Sequence, residues 1–179
     1  MGTKTILSWE EFLDAAKEGH KSEWVDSEVI LMTPVGLWRE AILARLVRRL
    51  EECCQSDTGW ICFTSNAVFT MASGNWRCPD ASLVRKNRFP GGVISATKAD
   101  FPPDVAFEIL SPSETPSHVQ RKRQDYLESG VVQVWIDPEQ RLIELIEPDR
   151  PLQYFHGPTP LVITSLPGLQ VVPEDLFKI

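Results

Sequence analysis

The sequence predicts a mixed α/β fold in which helices flank a central mixed β-sheet, and three patterns carry this prediction. An amphipathic helix is expected over residues 38–54. The mostly apolar run 104–110 is typical of a strand that is covered on both faces. A second helix over residues 117–129 is followed by a strand hairpin over residues 131–147. Helical and strand patterns therefore alternate along one chain, which favours an α/β layout.

The first elements are a short helix and a strand pair. Residues 8–17 predict the helix, because Ser8 can act as its N-cap and Glu11 stands at the capping-box position. Residues 23–25 and 29–32 predict two strands joined by a tight turn. We expect Pro34 to interrupt the chain after them. The following helix, 38–54, carries an apolar stripe formed by Ile42, Leu46, Leu50 and Cys53.

The middle of the chain is rich in strand patterns. Residues 60–71 alternate and predict two short strands, and residues 78–84 predict a strand that contains Pro79-Asp80. Residues 89–103 contain many Gly and Pro residues and predict a loop. The helix over 117–129 should begin at Ser117 as its cap and end at Gly130 in the left-handed conformation. Beyond the 131–147 hairpin, a strand is expected near 161–163 and a short turn over 173–177.

Length and composition predict a single globular domain over residues 1–179. Hydrophobic residues make up 42% and charged residues 24% of the chain. No apolar run approaches the ~18 residues that a membrane span needs, and the first residues lack the apolar core of a signal peptide. We therefore expect a cytoplasmic protein. The four cysteines form no C-x-x-C pair, which argues against a zinc site.

The net charge of −7 argues against a protein that coats nucleic acid, because such proteins usually present a basic surface. It does not exclude a nuclease, since acidic residues can cluster at a metal site. Two local basic clusters could still contact phosphate, although a solvated surface is the alternative for both; they are Arg45, Arg48 and Arg49, and Arg85, Lys86 and Arg88.

Two carboxylates stand where a carboxylate is costly. Glu108 lies inside the apolar run 104–110, and such a group must be paired, hydrogen-bonded or bound to metal. Asp80 follows a proline in a strand pattern, which suggests a sheet edge or an irregular strand. The two acids would repel each other if they met. A divalent cation such as Mg²⁺ would resolve the repulsion, because it prefers one or two carboxylates together with water and phosphate.

Lys122 is the third member of this candidate site. Val119, Lys122 and Tyr126 share one face of the predicted helix, and the apolar pair indicates that this face points inward. A buried lysine needs a counter-charge, for which Glu108 is the candidate. Beside a metal, the ammonium group could orient the attacking water and stabilise transition-state charge.

Each of these residues also has a structural interpretation. Asp80 could be a turn acid at the end of a strand. Glu108 could face solvent if that side of the sheet is open. Lys122 could extend along its helix to water.

The ordered motifs resemble the Uma-type family of "putative restriction endonucleases", within the PD-(D/E)XK nuclease superfamily. The central motifs are Arg77-Cys78-Pro79-Asp80, the run 107–113 from Phe107-Glu108-Ile109-Leu110 onward, and Lys122-Arg123-Gln124-Asp125-Tyr126. The resemblance extends over nearly the whole chain through Glu23-Trp24-Val25-Asp26-Ser27-Glu28, Met32-Thr33-Pro34, Gly130-Val131, Trp135-Ile136-Asp137-Pro138, Leu166-Pro167-Gly168-Leu169 and Leu176-Phe177.

The resemblance implies a restriction-endonuclease-like core and a set of site residues. It implies that Asp80 and Glu108 bind the metal, Mg²⁺ or Mn²⁺ in its place, and that the backbone carbonyl of Ile109 is a third ligand. It also suggests Glu23 as a further acidic residue of the site. DNA is the implied substrate, and a homodimer is expected from the way such nucleases often cut both strands.

Three departures from the family pattern stand out. The superfamily's lysine position is occupied by Leu110, so Lys122 on the following helix would replace it. Ser27 stands where glycine is frequent. Arg39 stands where histidine is common; arginine cannot act as a general base at neutral pH, but it can bind phosphate.

The leading hypothesis is therefore a Mg²⁺-dependent DNA endonuclease, with Asp80, Glu108, Lys122 and Glu23 at its centre and Arg39 on the substrate. One alternative is a non-catalytic binding or interaction module with the same fold, motivated by the acidic charge and by Arg39. Another is hydrolysis of RNA or of a different phosphodiester.

Overall fold

The fold is described by a computed structural model over residues 8–16, 21–32, 36–55, 59–94 and 97–178. The predicted mixed α/β fold is confirmed, since the largest sheet within these residues has six strands and helices on its faces. None of the helices in these ranges is long and apolar enough to cross a membrane.

The described residues begin with a helix and a hairpin, as predicted. Helix α1 spans Trp9–Ala15 and has the reciprocal capping box between Ser8 and Glu11. Strands β1 (Ser22–Val25) and β2 (Glu28–Leu31) pair antiparallel around the predicted turn. The expected helix end at Lys17 and the expected break at Pro34 lie outside the described residues. β1 also pairs with the short strand β5 (Trp76–Arg77), which pairs with β4 (Phe69–Thr70). These strands form a four-stranded sheet of order β2-β1-β5-β4.

The six-stranded sheet forms the centre of the described fold. Its strand order is β10-β9-β8-β7-β6-β3, and its only parallel pair is β7 with β8. A parallel pair needs a crossover connection, which helix α3 (Pro116–Glu128) provides here. The strand bounds are β3 Trp60–Thr64, β6 Ala81–Arg85, β7 Val105–Ile109, β8 Val132–Asp137, β9 Leu142–Ile146 and β10 Gln153–His156. Strand β10 was not predicted.

Different layers cover the two faces of this sheet. Helix α2 (Leu37–Cys54) packs its predicted apolar stripe on one face, against side chains that include Phe107 and Ile109 of β7. That side also contains β11 (Leu161–Ile163), β12 (Leu166–Val171) and the short helix α4 (Pro173–Leu176). Helix α3 lies on the other face, where Tyr126 packs with Trp135. Because strand side chains alternate, Glu108 points toward α3.

Two local predictions were wrong in ways that matter for the site. Asp80 does not lie within a strand, because β6 begins only at Ala81. β6 is also not an edge strand, since it pairs with β3 and β7. Pro79 without its N–H is tolerated because it precedes the hydrogen-bonded ladder.

The cap of α3 is Thr115 rather than Ser117. Its hydroxyl accepts the His118 backbone N–H at 3.3 Å, and Pro116 takes the first helical turn, where its missing N–H costs nothing. The predicted end is confirmed, because Gly130 has a φ of 68°. The tail expected as a turn forms the single turn of α4. The loop 89–103 contains a 3₁₀ turn at Pro90–Gly92.

Candidate functional site

The two predicted carboxylates lie near each other, one just before β6 and the other in the neighbouring strand β7. Asp80 precedes β6, and its Oδ2 accepts the backbone N–H of Ile109, the residue after Glu108, at 2.8 Å. Glu108 lies in β7, which pairs with β6. Asp80 is 1% exposed and Glu108 3% exposed, so the interpretation of Glu108 as a solvent-facing residue does not hold.

Lys122 reaches Glu108 from the inward face of α3. Its Nζ lies 3.3 Å from Glu108 Oε2, and the ammonium is buried rather than extended to water. Tyr126, one turn later on the same face, donates its hydroxyl to Glu108 Oε1 at 2.6 Å. Both oxygens of Glu108 thus have a partner. Helical phase placed these residues correctly because positions four apart share a helix face.

Glu23 joins the same group from the β1 strand. Its Oε1 accepts the backbone N–H of Cys78 at 3.1 Å, and its Oε2 accepts from the Arg77 guanidinium at 2.8 Å. Lys122 Nζ lies 3.9 Å from Glu23 Oε1, so one ammonium group faces two buried carboxylates. Glu114 extends this set, with its Oε1 at 3.6 Å from Nζ.

Asp80 is neutralised by two cations. Lys21 Nζ lies 2.7 Å from its Oδ1, and the Nη2 of Arg39 lies 2.5 Å from its Oδ2. The Nε of Arg39 also donates to the backbone carbonyl of Ile109 at 2.7 Å. Arg39 therefore contacts two of the three predicted ligand positions, and its predicted role on the phosphate backbone remains a prediction.

Sequence reasoning gave no role to several residues of this group. Arg77 binds Asp125 as well as Glu23, at 2.5 Å from Nη2 to Oδ2, and Asn75 donates to Asp125 too. The motif 77–80 contained the signal for Arg77, because a buried arginine needs acidic partners. Lys21 gave no signal, since a single lysine before a short strand is normally exposed.

Burial and neighbouring charges shift the pKa values of the two carboxylates in opposite directions. Burial alone would raise the pKa of Asp80, but the cations Lys21 and Arg39 hold that pKa below its ordinary value. Burial raises the pKa of Glu108; the Lys122 ammonium opposes this shift, and the negative charge of Asp80 adds to it. The environment thus makes the pKa values of the two acids differ, as is common at functional sites.

Neighbouring charges also shift the pKa values of the groups around Glu108. Burial would lower the pKa of Lys122, but the carboxylates of Glu108 and Glu23 raise it, so Lys122 stays a cation. Burial would raise the pKa of Glu23, but the positive charges of Lys122 and Arg77 lower it below its ordinary value. Burial and the negative charge of Glu108 raise the pKa of Tyr126, which remains a hydroxyl donor.

A cavity of about 460 Å³ opens onto this group and gives a ligand access to it. Its walls include Lys21, Glu23, Arg39, Asp80 and Lys122. A second cavity of about 560 Å³ shares Arg39, Ser111 and Glu114 with the first. The site residues are thus buried among one another, yet several of them border open space.

The donor atoms fit a hard divalent cation in their chemistry. Within the described ranges, no three His, Cys, Asp or Glu side chains form a ready metal cluster. Two carboxylates and a backbone carbonyl are nevertheless the oxygen donors that Mg²⁺ takes, with water completing its shell. Asp80 Oδ2 and the Ile109 carbonyl oxygen already converge on one positive group, the Arg39 guanidinium. These oxygens therefore fit a cation.

The two basic clusters are largely satisfied by local partners. Arg48 and Arg49 pair with Glu52 on the surface of α2. Arg85 stacks over Trp60, and Arg88 lies 3.4 Å from an Asp104 oxygen. These contacts agree with a solvated surface and add no residue to the site.

Comparison with known proteins identifies a matching family model and a solved structure with the same fold. A family model described as "Putative restriction endonuclease", Uma2, matches residues 9–174. A crystal structure from Anabaena variabilis ATCC 29413, described as a putative nuclease belonging to DUF820, has 22% sequence identity and a TM-score of 0.82. The alignment covers 96% of this chain and 97% of that chain, and at this identity it shows the shared fold. No curated protein matches the chain significantly.

Proposed function

The chain belongs to the Uma2 family of "putative restriction endonucleases", and from this premise we propose that it is a divalent-metal-dependent endonuclease that hydrolyses DNA phosphodiester bonds. The observation that carries the proposal is the buried junction of Asp80, Glu108 and Lys122. It brings two carboxylates and a lysine ammonium close together, and Asp80 and Lys122 border an open cavity. The pKa values of the two acids are also shifted in opposite directions, an arrangement that is common at functional sites.

Each residue has a role in this proposal. Asp80, Glu108 and the Ile109 carbonyl would hold Mg²⁺ or Mn²⁺, which when bound supplies a water of lowered pKa and positive charge at the phosphate. Lys122 orients the attacking water and offsets the negative charge that develops on the phosphoryl group. Glu23 is a positioning residue, because it faces Lys122 and is itself fixed by Arg77.

Arg39 is the proposed substrate contact. Arg39 borders both cavities, and the planar fork of N–H donors of its guanidinium suits two oxygens of one phosphate. A duplex has two strands to cut, so a homodimer with one site per strand is part of the proposal.

A plasmid-cleavage assay tests this function. Wild-type protein is expected to nick or linearise supercoiled plasmid with Mg²⁺ or Mn²⁺, and to leave it intact with EDTA. The Glu108→Ala variant, purified identically, controls for a contaminating nuclease. Equal cleavage by both proteins would rule out this site as the source, and the same assay with an RNA substrate tests the alternative phosphodiester.

One observation favours the second function, a non-catalytic binding module. Lys21 and Arg39 satisfy the charge of Asp80 without any metal. Calorimetry separates the two functions, because a module without a working site would show no Mn²⁺ binding that depends on Asp80 and Glu108.

Replacing Lys122 with methionine is expected to lower the rate constant for cleavage, kcat, by about a hundredfold, a magnitude typical of losing one charge-stabilising donor. KM should change much less, since the ammonium acts mainly in the transition state. Single-turnover cleavage measured over a range of DNA concentrations separates the two constants.

The matched control is Lys178→Met, which removes an exposed lysine that pairs with Asp175. Mn²⁺ binding by Lys122→Met should persist, because the ligand oxygens are retained. An unchanged kcat in a folded Lys122→Met protein would remove Lys122 from the mechanism.

A further inference from the structure

Arg39 holds the atoms that the proposed metal needs. Its Nη2 lies 2.5 Å from Asp80 Oδ2, and its Nε donates to the Ile109 carbonyl oxygen at 2.7 Å. One guanidinium thus bridges one carboxylate and one backbone carbonyl, which are two of the three proposed ligand groups. A cation that bound both oxygens would have to take the place of this fork.

The charge balance of the site also favours replacement of the Arg39 guanidinium by the metal. The inner acids Glu23, Asp80 and Glu108 are opposed by Lys21, Lys122, Arg39 and a shared Arg77. The group is therefore close to neutral before any metal enters. A divalent ion added to it would bring two uncompensated positive charges into a buried site, which is costly. Release of one cationic side chain reduces that cost.

Among these cationic side chains, Arg39 is the one whose position best allows it to be released from its contacts with Asp80 and Ile109. It stands in the first turn of α2, where the helix dipole disfavours positive charge, and the N-cap Gly36 has no side-chain cap bond. Its side chain is 13% exposed, against 4% for Lys122. Lys21 is 15% exposed, but its bond is to Oδ1 of Asp80, so its release would free neither Asp80 Oδ2 nor the Ile109 carbonyl. Arg39 also forms part of the wall of both cavities, so open space borders it. Lys122, in contrast, is enclosed by three carboxylates.

We propose that Arg39 is a displaceable internal cation that competes with the divalent metal for Asp80 and the Ile109 carbonyl, and that metal entry moves its guanidinium into the cavity where a phosphate would lie. The inference rests on the proposed function. It makes metal binding and presentation of the phosphate contact one coupled event. It also means that the resting protein binds metal more weakly than its ligand atoms alone would allow.

Calorimetric titration with Mn²⁺, without DNA, tests the competition. Arg39→Met is expected to bind Mn²⁺ about tenfold or more tightly than wild type, within the usual range of coupling between two ligands of one site. Arg39→Lys keeps the charge but loses the fork, and it should also bind more tightly, though less so than Arg39→Met. Lys21→Met is the matched control, because it removes an equal charge from the same carboxylate without freeing Asp80 Oδ2 or Ile109.

Side-chain NMR provides a second readout. The Arg39 Nε–H signal, fixed by its bond to Ile109 in the free protein, should shift toward the solvent-exposed position when diamagnetic Mg²⁺ is added. The Arg77 Nε–H, bound to Asp125 at 2.8 Å, should stay in place and serves as an internal reference.

The outcomes separate this inference from the proposed function. Mn²⁺ binding that is lost in Glu108→Ala, yet is equal in wild type, Arg39→Lys and Arg39→Met, would overturn the competition and leave the nuclease proposal intact. Equal tightening in Lys21→Met and Arg39→Met, with Arg39→Lys unchanged, would reduce the effect to charge alone and overturn it as well. No Mn²⁺ binding by any variant, with no plasmid cleavage, would overturn both.

Discussion

Replacing Glu108 with glutamine is expected to lower the rate of metal-dependent plasmid cleavage by about a thousandfold or more, which corresponds to about 4 kcal/mol of activation free energy. Glutamine has nearly the same shape but lacks the negative charge that would hold a divalent cation. Its amide oxygen can still accept from Tyr126 or Lys122, so the fold should persist. Initial cleavage rates at saturating Mg²⁺, with thermal melting of each protein, measure the effect.

The control for Glu108→Gln is Glu144→Gln. Glu144 lies in β9 opposite Trp135, on the same side of the sheet, and pairs with Arg123 outside the proposed ligand set. It therefore undergoes the same chemical change without touching Asp80 or Lys122. Cleavage by Glu144→Gln should equal that of wild type. A Glu108→Gln protein that folds and cleaves within about threefold of wild type would contradict a ligand role for this carboxylate.

The fold was predictable wherever a local pattern determines an element. The stripe on α2 and the apolar run of β7 each identify an element and its buried side, because burial follows the helical or strand period. Strands β5, β10 and β12 were missed, and β10 is the one that belongs to the central sheet. Its burial alternates only weakly, and it is stabilised mainly by its pairing with β9, a partner that the sequence does not name.

The site likewise contains residues that a local pattern predicts and residues that it does not. Lys122 and Tyr126 were placed by helical phase, and Glu108 by the cost of a carboxylate in an apolar strand. The contact of Lys21 with Asp80 joins residues 59 positions apart, and that of Arg39 joins residues 41 positions apart. No periodicity encodes such contacts, since they depend on how the sheets and α2 come together. The sequence therefore indicated the acids, and Arg39 only as a phosphate contact, but not the pairing of Lys21 and Arg39 with Asp80.

Replacing Asp125 with alanine is expected to lower the free energy of unfolding by about 3–5 kcal/mol, the usual cost of removing one partner from a buried ion pair. For a chain of this length, that corresponds to a fall of roughly 6–20 °C in Tm. Asp125 is fully buried and accepts from Arg77 through Nε and Nη2, from the Asn75 amide and from the Ser73 hydroxyl. Its loss leaves Glu23 as the one carboxylate paired with the buried Arg77 among the described residues.

Glu128→Ala on the same helix is the control for this effect. Glu128 is exposed and accepts only from Gln124 in the described contacts, so its loss should change the unfolding free energy by less than about 0.5 kcal/mol. Urea denaturation followed by tryptophan fluorescence measures both variants. An Asp125→Ala protein as stable as Glu128→Ala would show that the Arg77 network contributes little to stability.

A double variant separates the cost of an unpaired charge from the loss of packing. Asp125→Leu combined with Arg77→Met removes both charges of this pair, and the double variant should be destabilised by less than the sum of the single changes, because neither Asp125 nor Arg77 is left without the other. Arg77 also fixes Glu23, which faces Lys122. The double variant should therefore regain stability without regaining full cleavage, since Lys122 would lose part of its positioning. Recovery of both together would mean that Glu23 is held by its bond to the Cys78 amide alone, and that Arg77 serves the fold rather than the site.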